Sequence, residues 1–139
     1  MPNPEITNVN SSQAFKMNCV FDDRSVEVAA NTDLAVGTVL GIITQSAETN
    51  QGSYGEFSTA KSNGLEIPVA VLAQAVSNAT GAAVKKVNVR VCLQGQVDGE
   101  KLVLANSATL NTLCASGKTV KDELKAEGII ALNIPQGNI

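Results

Sequence analysis

The 139-residue sequence contains no histidine and no tryptophan, and only 3% of its residues are aromatic. Without histidine, a Ser-His-Asp triad, a Cys-His dyad, a histidine-ligated metal site and a histidine pH switch are all excluded. The few aromatic side chains offer little material for base stacking, and the net charge of −3 at pH 7 provides no basic surface. We therefore expect no nucleic-acid partner.

The sequence also lacks a long apolar run and a cysteine motif. No segment approaches the roughly 20 consecutive apolar residues that span a bilayer, and the first five residues, Met-Pro-Asn-Pro-Glu, do not have the pattern of a signal peptide. We expect no membrane partner and synthesis in the cytoplasm. Three cysteines, Cys19, Cys92 and Cys114, are too far apart for a CxxC motif, so we interpret them as small buried side chains.

Hydrophobic residues make up 44% of the chain and are mainly aliphatic, and 17% of the residues are charged. The first 14 residues are polar and include two prolines, which is typical of an extended segment without a core of its own. We predict a flexible N-terminal arm over 1–14 and a single β-rich domain over 15–139. The predicted fold class is mainly β, a compact irregular body with one or two short helices.

Several segments alternate between apolar and polar residues or are rich in β-branched residues, and both patterns predict strands. These segments are 15–21, 26–28, 36–44, 84–97 and 129–134. A short strand is also predicted over 54–58, because the connection over 45–66 is long for a loop without structure. The polar residues 22–25 predict a turn that joins the first two segments into a hairpin. Asp98 and Gly99 predict a type I′ turn that joins the strand over 84–97 to a further strand over 100–105.

The helical content is predicted to be small. Residues 119–127 form a helix in this prediction, with Thr119 as the N-cap and Gly128 just beyond its end. A second short helix is predicted over 107–115. The segment 67–76, IPVAVLAQAV, fits both helical spacing and a buried strand, so its pattern leaves both possibilities open.

No group of residues forms a catalytic or ligand-binding motif. The Gly-Lys-Thr tripeptide at 117–119 resembles the end of a phosphate-binding loop, but Thr112 stands where that motif requires its first glycine. Asp22 and Asp23 are adjacent on a strand and point apart, and Asp98 lacks the aspartates of a calcium loop. We expect no enzymatic activity, no metal and no cofactor, and favour a structural or binding protein that acts within an assembly.

A series of motifs occurs in a fixed order along the chain. GTVLGIIT at 37–44 is followed by an aromatic loop at 54–57 and by an apolar segment opened by a glycine at 64–72. The pattern V-x-V-x-V-x-x-x-G-x-V at 87–97 and the pattern L-x-x-x-G-I, which opens 124–132, complete the series. In this order and spacing the chain resembles the small head-decoration proteins of lambda-like tailed bacteriophages over about residues 36–132. The hairpin predicted over 15–30 and a longer segment over 106–118 are additions to that pattern.

The resemblance implies a compact β body in which the segment 67–76 is a strand. It also implies homotrimers on the outside of the expanded phage head, which cement neighbouring subunits of the major capsid protein against internal DNA pressure. The protein would then be made in the host bacterial cytoplasm and act on the capsid exterior of the virion. The N-terminal arm would bind the capsid, and its capsid-binding residues would be Pro4, Ile6 and Val9.

An alternative function is a small β-rich adhesion or carbohydrate-binding module. Such modules present aromatic side chains to sugars. Tyr54 and Phe57 are the aromatic residues of the glycine-containing segment before residue 64, and they are the candidates for such a surface.

Overall fold

The computed structural model describes residues 14–45 and 50–132 and shows a mainly β protein, as predicted. The strands are β1 (Phe15–Val28), β2 (Thr32–Leu34), β3 (Val39–Ile42), β4 (Tyr54–Glu56), β5 (Ala70–Leu72), β6 (Val76–Asn78), β7 (Val84–Asp98) and β8 (Ile129–Leu132). A 3-10 helix spans Gly99–Lys101, and the α-helix α1 spans Val120–Ala126. The strands predicted over 36–44, 54–58, 84–97 and 129–134 all have counterparts here.

The two long strands, β1 and β7, pair antiparallel from Phe15 opposite Val97 to Val28 opposite Val84. The short strands β4, β3 and β5 connect the two long strands in the order β1-β4-β3-β5-β7. Because β7 also pairs with β1, these five hydrogen-bonded strands form a closed ring. Strand β8 lies parallel to β7 beside Gly95–Asp98, outside this ring. A separate two-stranded sheet is formed by β2 and β6. Closure of the ring removes most of the free strand edges at which chains aggregate.

The core is divided into two clusters because successive side chains of a strand point to opposite faces. In β5, Ala70 and Leu72 pack in one cluster and Val71 packs in the other. The first cluster draws side chains from all five strands of the ring and therefore fills its interior. The second cluster lies on the outer face of the sheet, where Val120 and Leu124 of α1 cover it.

The helix predicted over 119–127 is confirmed. The Thr119 hydroxyl accepts a hydrogen bond from the backbone N–H of Asp122 at 3.2 Å, which satisfies one of the free N–H groups of the first turn. Further backbone N–H groups at this end, those of Val120 and Lys121, donate to carbonyl oxygens of the preceding loop at 3.0 Å. The helix is therefore joined to the body through both its apolar face and its first turn.

The predicted hairpin over 15–28 is wrong, because β1 continues without interruption through residues 22–25. Asp22, Asp23 and Arg24 pair with Val91, Arg90 and Val89 of β7. Partners on a long neighbouring strand provide the backbone hydrogen bonds that a local turn would otherwise make, so tertiary pairing overrides the turn propensity of the Asp-Asp sequence.

The predicted hairpin at Asp98-Gly99 is also wrong. Both sides of β7 are occupied there, by β1 opposite Val97 and by β8 opposite Asp98, so no edge is free for a returning strand. Asp98 instead accepts a hydrogen bond from the backbone N–H of Glu100 at 3.0 Å and caps the 3-10 helix. The following segment runs beside Thr38, where the Val39 N–H donates to the Val103 oxygen at 3.0 Å.

Two further predictions concerned helices. The short helix over 107–115 is wrong, because this segment consists of turns whose carbonyl groups accept hydrogen bonds from the first turn of α1. Leu110 and Cys114 are buried beside the helix from this loop. The segment 67–76, which the pattern left open, contains strand β5, paired with β3 on one side and β7 on the other, as the family resemblance implied.

Candidate functional site

The first half of β1 exposes large apolar side chains. Met17 is 57% exposed, Val20 48% and Phe21 38%. The predicted alternation fails here because the register with β7 shifts three times between Phe15 and Phe21, and Asn18 has a positive φ of 57°. Such bulges re-aim side chains from one face of a strand to the other. Apolar groups that regular alternation would place in the core thus lie at the surface.

An apolar groove of about 460 Å³ opens beside this part of β1. Phe15 and Phe21 line it from β1, and Val36, which is 37% exposed, lines it from the segment before β3. Two cationic side chains, Arg90 of β7 and Lys101 of the 3-10 helix, also line the groove. We call this surface the β1 groove. It is a concave apolar site with positive charge at its border, which is suited to binding a peptide segment.

Packing among the lining residues holds the β1 groove in shape. The rings of Phe15 and Phe21 meet edge to face, with centroids 5.2 Å apart and an interplanar angle of 81°. The guanidinium carbon of Arg90 lies 5.6 Å from the centroid of the Phe21 ring, within the range of a cation–π interaction. On the opposite side, the Val103 N–H donates to the Gly37 oxygen at 2.9 Å, which fixes the segment containing Lys101 beside Val36.

Neither cation of the β1 groove forms an ion pair within residues 14–45 and 50–132. The ion pairs found there join Lys16 to Asp98 at 3.9 Å and Arg24 to Asp22 at 2.9 Å. Arg90 and Lys101 are both exposed. Their charge is therefore available to a partner that brings a carboxylate to the groove.

A second apolar surface crosses three strands. Met17 of β1 is opposite Gln96 of β7, which in turn is opposite Ile130 of β8. Because Ile129 and Ala131 pack against the α1 cluster, Ile130 and Leu132 point to the other face of the sheet, where they are 42% and 37% exposed. We call the surface around Met17 and Ile130, which flank Gln96, the three-strand face. Exposed apolar side chains grouped in this way commonly mark an interaction site.

A polar cavity of about 390 Å³ is lined by Glu27, Glu56, Ser58 and Lys61, and burial raises the pKa of the Glu56 carboxyl. No group of three metal-liganding side chains comes together in the ranges 14–45 and 50–132. Over the same ranges, no helix has the length and apolar character needed to cross a bilayer.

Cys92 is expected to be chemically inert in the folded protein. Burial, with a smaller contribution from the neighbouring Cys19 thiol, raises the pKa of its thiol to about 12. Because the thiolate is the reactive form, we expect a thiol reagent at pH 8 to modify Cys92 at least about 100-fold more slowly than in the urea-unfolded chain. Peptide mass spectrometry of the two samples measures both rates, and equal rates would contradict the prediction.

The same raised pKa predicts how the stability depends on pH. The unfolded state releases the Cys92 proton near the ordinary thiol pKa of 9.0, whereas the folded state holds it until about 12. The unfolded chain is thus favoured as pH rises. The contribution of Cys92 to the free energy of unfolding is complete below pH 9 and is lost progressively between pH 9 and 12. Urea titrations of the protein and of C92A across this range separate this contribution from that of other groups.

The residues predicted from the sequence to bind a partner differ from those of the two apolar surfaces. Pro4, Ile6 and Val9 lie outside the residues that the structure describes. Tyr54 and Phe57, the candidates for a sugar-binding platform, are only 6% and 1% exposed, so neither ring presents a face to solvent. Phe21, which the alternating pattern of 15–21 places on the same face as Phe15, is 38% exposed and does reach the surface.

Sequence reasoning missed the β1 groove because its residues come from five separate parts of the chain. Val36 and Lys101 meet through the hydrogen bond between Gly37 and Val103, which is a contact outside any strand. No periodicity encodes this contact. The one local signal was the pair of apolar positions at 20 and 21, which interrupts strict alternation in β1.

Comparison with known proteins adds one finding. The sequence model of the family described as Bacteriophage lambda head decoration protein D matches residues 14–132. No curated protein and no solved structure matches the chain. The matched range includes the closed ring, α1, the β1 groove and the three-strand face.

Proposed function

The chain belongs to the family of bacteriophage lambda head decoration protein D, and on this premise we propose that it binds the outside of the expanded phage capsid and cements neighbouring subunits of the major capsid protein against internal DNA pressure. The observation that carries the proposal is the family match over residues 14–132. In this role the protein acts on the capsid exterior of the virion and requires neither catalysis nor a cofactor.

The cementing action follows from thermodynamic linkage. A ligand that binds one state of a lattice and not another stabilises the first state by its binding free energy. The structure supports this role with a closed ring of strands, which is a body with few free edges, and with two exposed apolar surfaces. Burial of apolar surface contributes about 25 cal/mol per Å² to association. Many copies on one head would add their contributions across the shell.

We propose that the arm supplies part of the capsid contact through Pro4, Ile6 and Val9. These are apolar positions in a largely polar segment, and apolar side chains gain most from burial against a capsid subunit. An extended segment is also suited to adding a strand to the edge of a partner's sheet. Ala14, the last residue of the segment predicted as the arm, is 3% exposed and is buried in the body, so the proposed arm contact rests on residues 1–13.

We propose that the protein is a homotrimer on the capsid. Three copies around a three-fold axis contact one another through two different surfaces of each copy. The three-strand face is a candidate for one of these surfaces, since Met17 and Ile130 expose apolar area there beside β8, which lies at one end of the strand order.

The direct test mixes the purified protein with expanded heads that carry no decoration protein. We expect the protein to co-sediment with these heads and to saturate at a multiple of three copies for each local three-fold position. Decorated heads should also retain their DNA at higher temperature than undecorated heads. Unexpanded proheads are the matched control, and they should bind at least about tenfold more weakly, which corresponds to about 1.4 kcal/mol. Absence of the protein from sedimented heads would contradict the proposed function.

A further inference from the structure

We propose that the β1 groove receives an apolar segment of the major capsid protein that carries a carboxylate, so that the capsid contact extends from residues 1–13 onto the body. This inference rests on the proposed function and names a surface for it. It is distinct from the contact of the arm itself, because every residue that lines the groove belongs to the described body.

The position of the groove is the first argument. Ala14 and Phe15 line it, so the arm joins the body at the groove itself. A capsid subunit that binds the arm is consequently tethered at the mouth of the groove. Tethering converts a second contact into an intramolecular one, with an effective concentration in the millimolar range for a short linker. Even a capsid segment that binds weakly would then occupy the groove on the capsid.

The chemistry of the groove is the second argument. An exposed aromatic ring, Phe21, lies beneath the guanidinium of Arg90, and both residue types are enriched in protein–protein interfaces. Val36 adds an exposed aliphatic side chain across the groove. Water is released from these surfaces when an apolar segment fills the space between them.

The charge of the groove selects the partner. Arg90 and Lys101 lack ion-pair partners among the residues that the structure describes, whereas the chain as a whole carries a net charge of −3. An apolar groove with two cationic side chains at its border is complementary to a segment with negative charge. An apolar capsid segment with one or more carboxylates would contact the wall of the groove with its apolar side chains and the cationic border with its carboxylates.

The test uses two substitutions in the groove of the full-length protein. V36D places a carboxylate against the apolar wall, and K101E reverses the charge at the border. We expect each to weaken binding to expanded, undecorated heads at least about tenfold while the thermal midpoint changes little, because both side chains are exposed. L113D and K118E are matched controls at exposed positions that do not line the groove, and we expect them to bind within about twofold of the unsubstituted protein.

The dependence on salt gives a second readout. Binding of the unsubstituted protein should weaken as ionic strength rises, and K101E should show a shallower dependence because one charge contact is missing. Two folded groove variants that bind heads as tightly as the unsubstituted protein would overturn the inference and leave the proposed function intact. Loss of trimers by V36D, measured by light scattering, would assign the groove to a second copy and overturn it as well. If the unsubstituted protein fails to bind heads, the proposed function itself is wrong.

Discussion

Removal of residues 1–13 is expected to weaken binding to expanded, undecorated heads at least about 100-fold, which corresponds to about 2.7 kcal/mol, and to leave the folded body intact. The reason is the separation between arm and core. The buried core begins at Ala14, which is 3% exposed, and the family match begins at the same residue. Deletion through residue 13 thus removes Pro4, Ile6 and Val9 without opening the body.

Two measurements check this prediction. Co-sedimentation with heads gives the affinity, and thermal unfolding shows whether the truncated protein keeps its midpoint. The double variant I6S/V9S is expected to reproduce most of the loss, because each buried aliphatic side chain contributes about 1.5–3 kcal/mol. The matched control S11A/S12A changes the arm without removing apolar area and should bind as the full-length protein does. A truncated protein that retains the full affinity would exclude the arm from the capsid contact.

The truncation and the groove variants report on different parts of one proposed interface. If both contribute, K101E combined with the deletion should lose more than either change alone. Because the arm tethers the partner beside the groove, the two effects are not independent, and the combined loss should differ from their sum. Equal binding of the deletion and the combined variant would place the whole contact in the arm.

The parts of the fold that were predictable from the sequence are those that local patterns determine. The strand over 84–97 was evident because Val89 and Val91 alternate with polar neighbours, and β7 follows that pattern. The helix was evident from Thr119 and Gly128, and the structure shows a cap at the first and a positive φ of 96° at the second. In both elements, local propensity and tertiary packing favour the same structure.

The parts of the fold that were not predictable from the sequence depend on which strand pairs with the segment. Residues 22–25 have turn composition, yet β7 pairs with them and keeps them extended. Asp98-Gly99 has the composition of a hairpin turn, yet β8 already occupies the edge that the hairpin would need. Neither pairing is visible in the local sequence, because each joins segments that are more than 30 residues apart.

The candidate site was less predictable than the fold for the same reason. Phe21 reaches the surface only because the register of β1 shifts against β7, and a bulge leaves no clear mark on the pattern of apolar residues. Arg90 meets the Phe21 ring because the two lie on paired strands. The arm residues, in contrast, were identified from composition and from the family resemblance, and their role stays a prediction.

Substitution of Gly64 by alanine is expected to lower the free energy of unfolding by about 3–5 kcal/mol. Gly64 has a φ of +115°, which L-residues rarely adopt, and strain of this kind costs about 1–3 kcal/mol. A Cβ at this position would also overlap the Ile42 carbonyl oxygen and lie 2.7 Å from the Thr44 backbone nitrogen. These atoms are backbone and must move as a unit. The hydrogen bond from the Thr44 N–H to the Asn63 oxygen, 2.8 Å long, would be lost with them.

Gly52 provides the matched control for this prediction. Its φ is +91°, but a Cβ there would meet nothing within 4 Å. The substitution G52A therefore carries the backbone strain without the overlap, and we expect it to cost only about 1 kcal/mol. Urea denaturation of both variants measures the difference. If both substitutions lowered the free energy of unfolding equally, the overlap of the new Cβ with the chain after β3 would not be the reason why G64A is destabilised.

The close contacts of Gly64 also explain why the segment 64–72, one of the motifs in the family resemblance, begins with a glycine. The chain after β3 passes so close to residue 64 that only a residue without a side chain fits, and the Thr44 and Gln45 N–H groups both donate to the Asn63 oxygen. That junction leads into β5, which closes the ring between β3 and β7. In G64A the ring should loosen at β3 and β5 first, so hydrogen exchange of the Leu72 N–H should rise more than that of the Gly95 N–H beside β8. Uniform acceleration of both would show instead that the ring opens as a single unit.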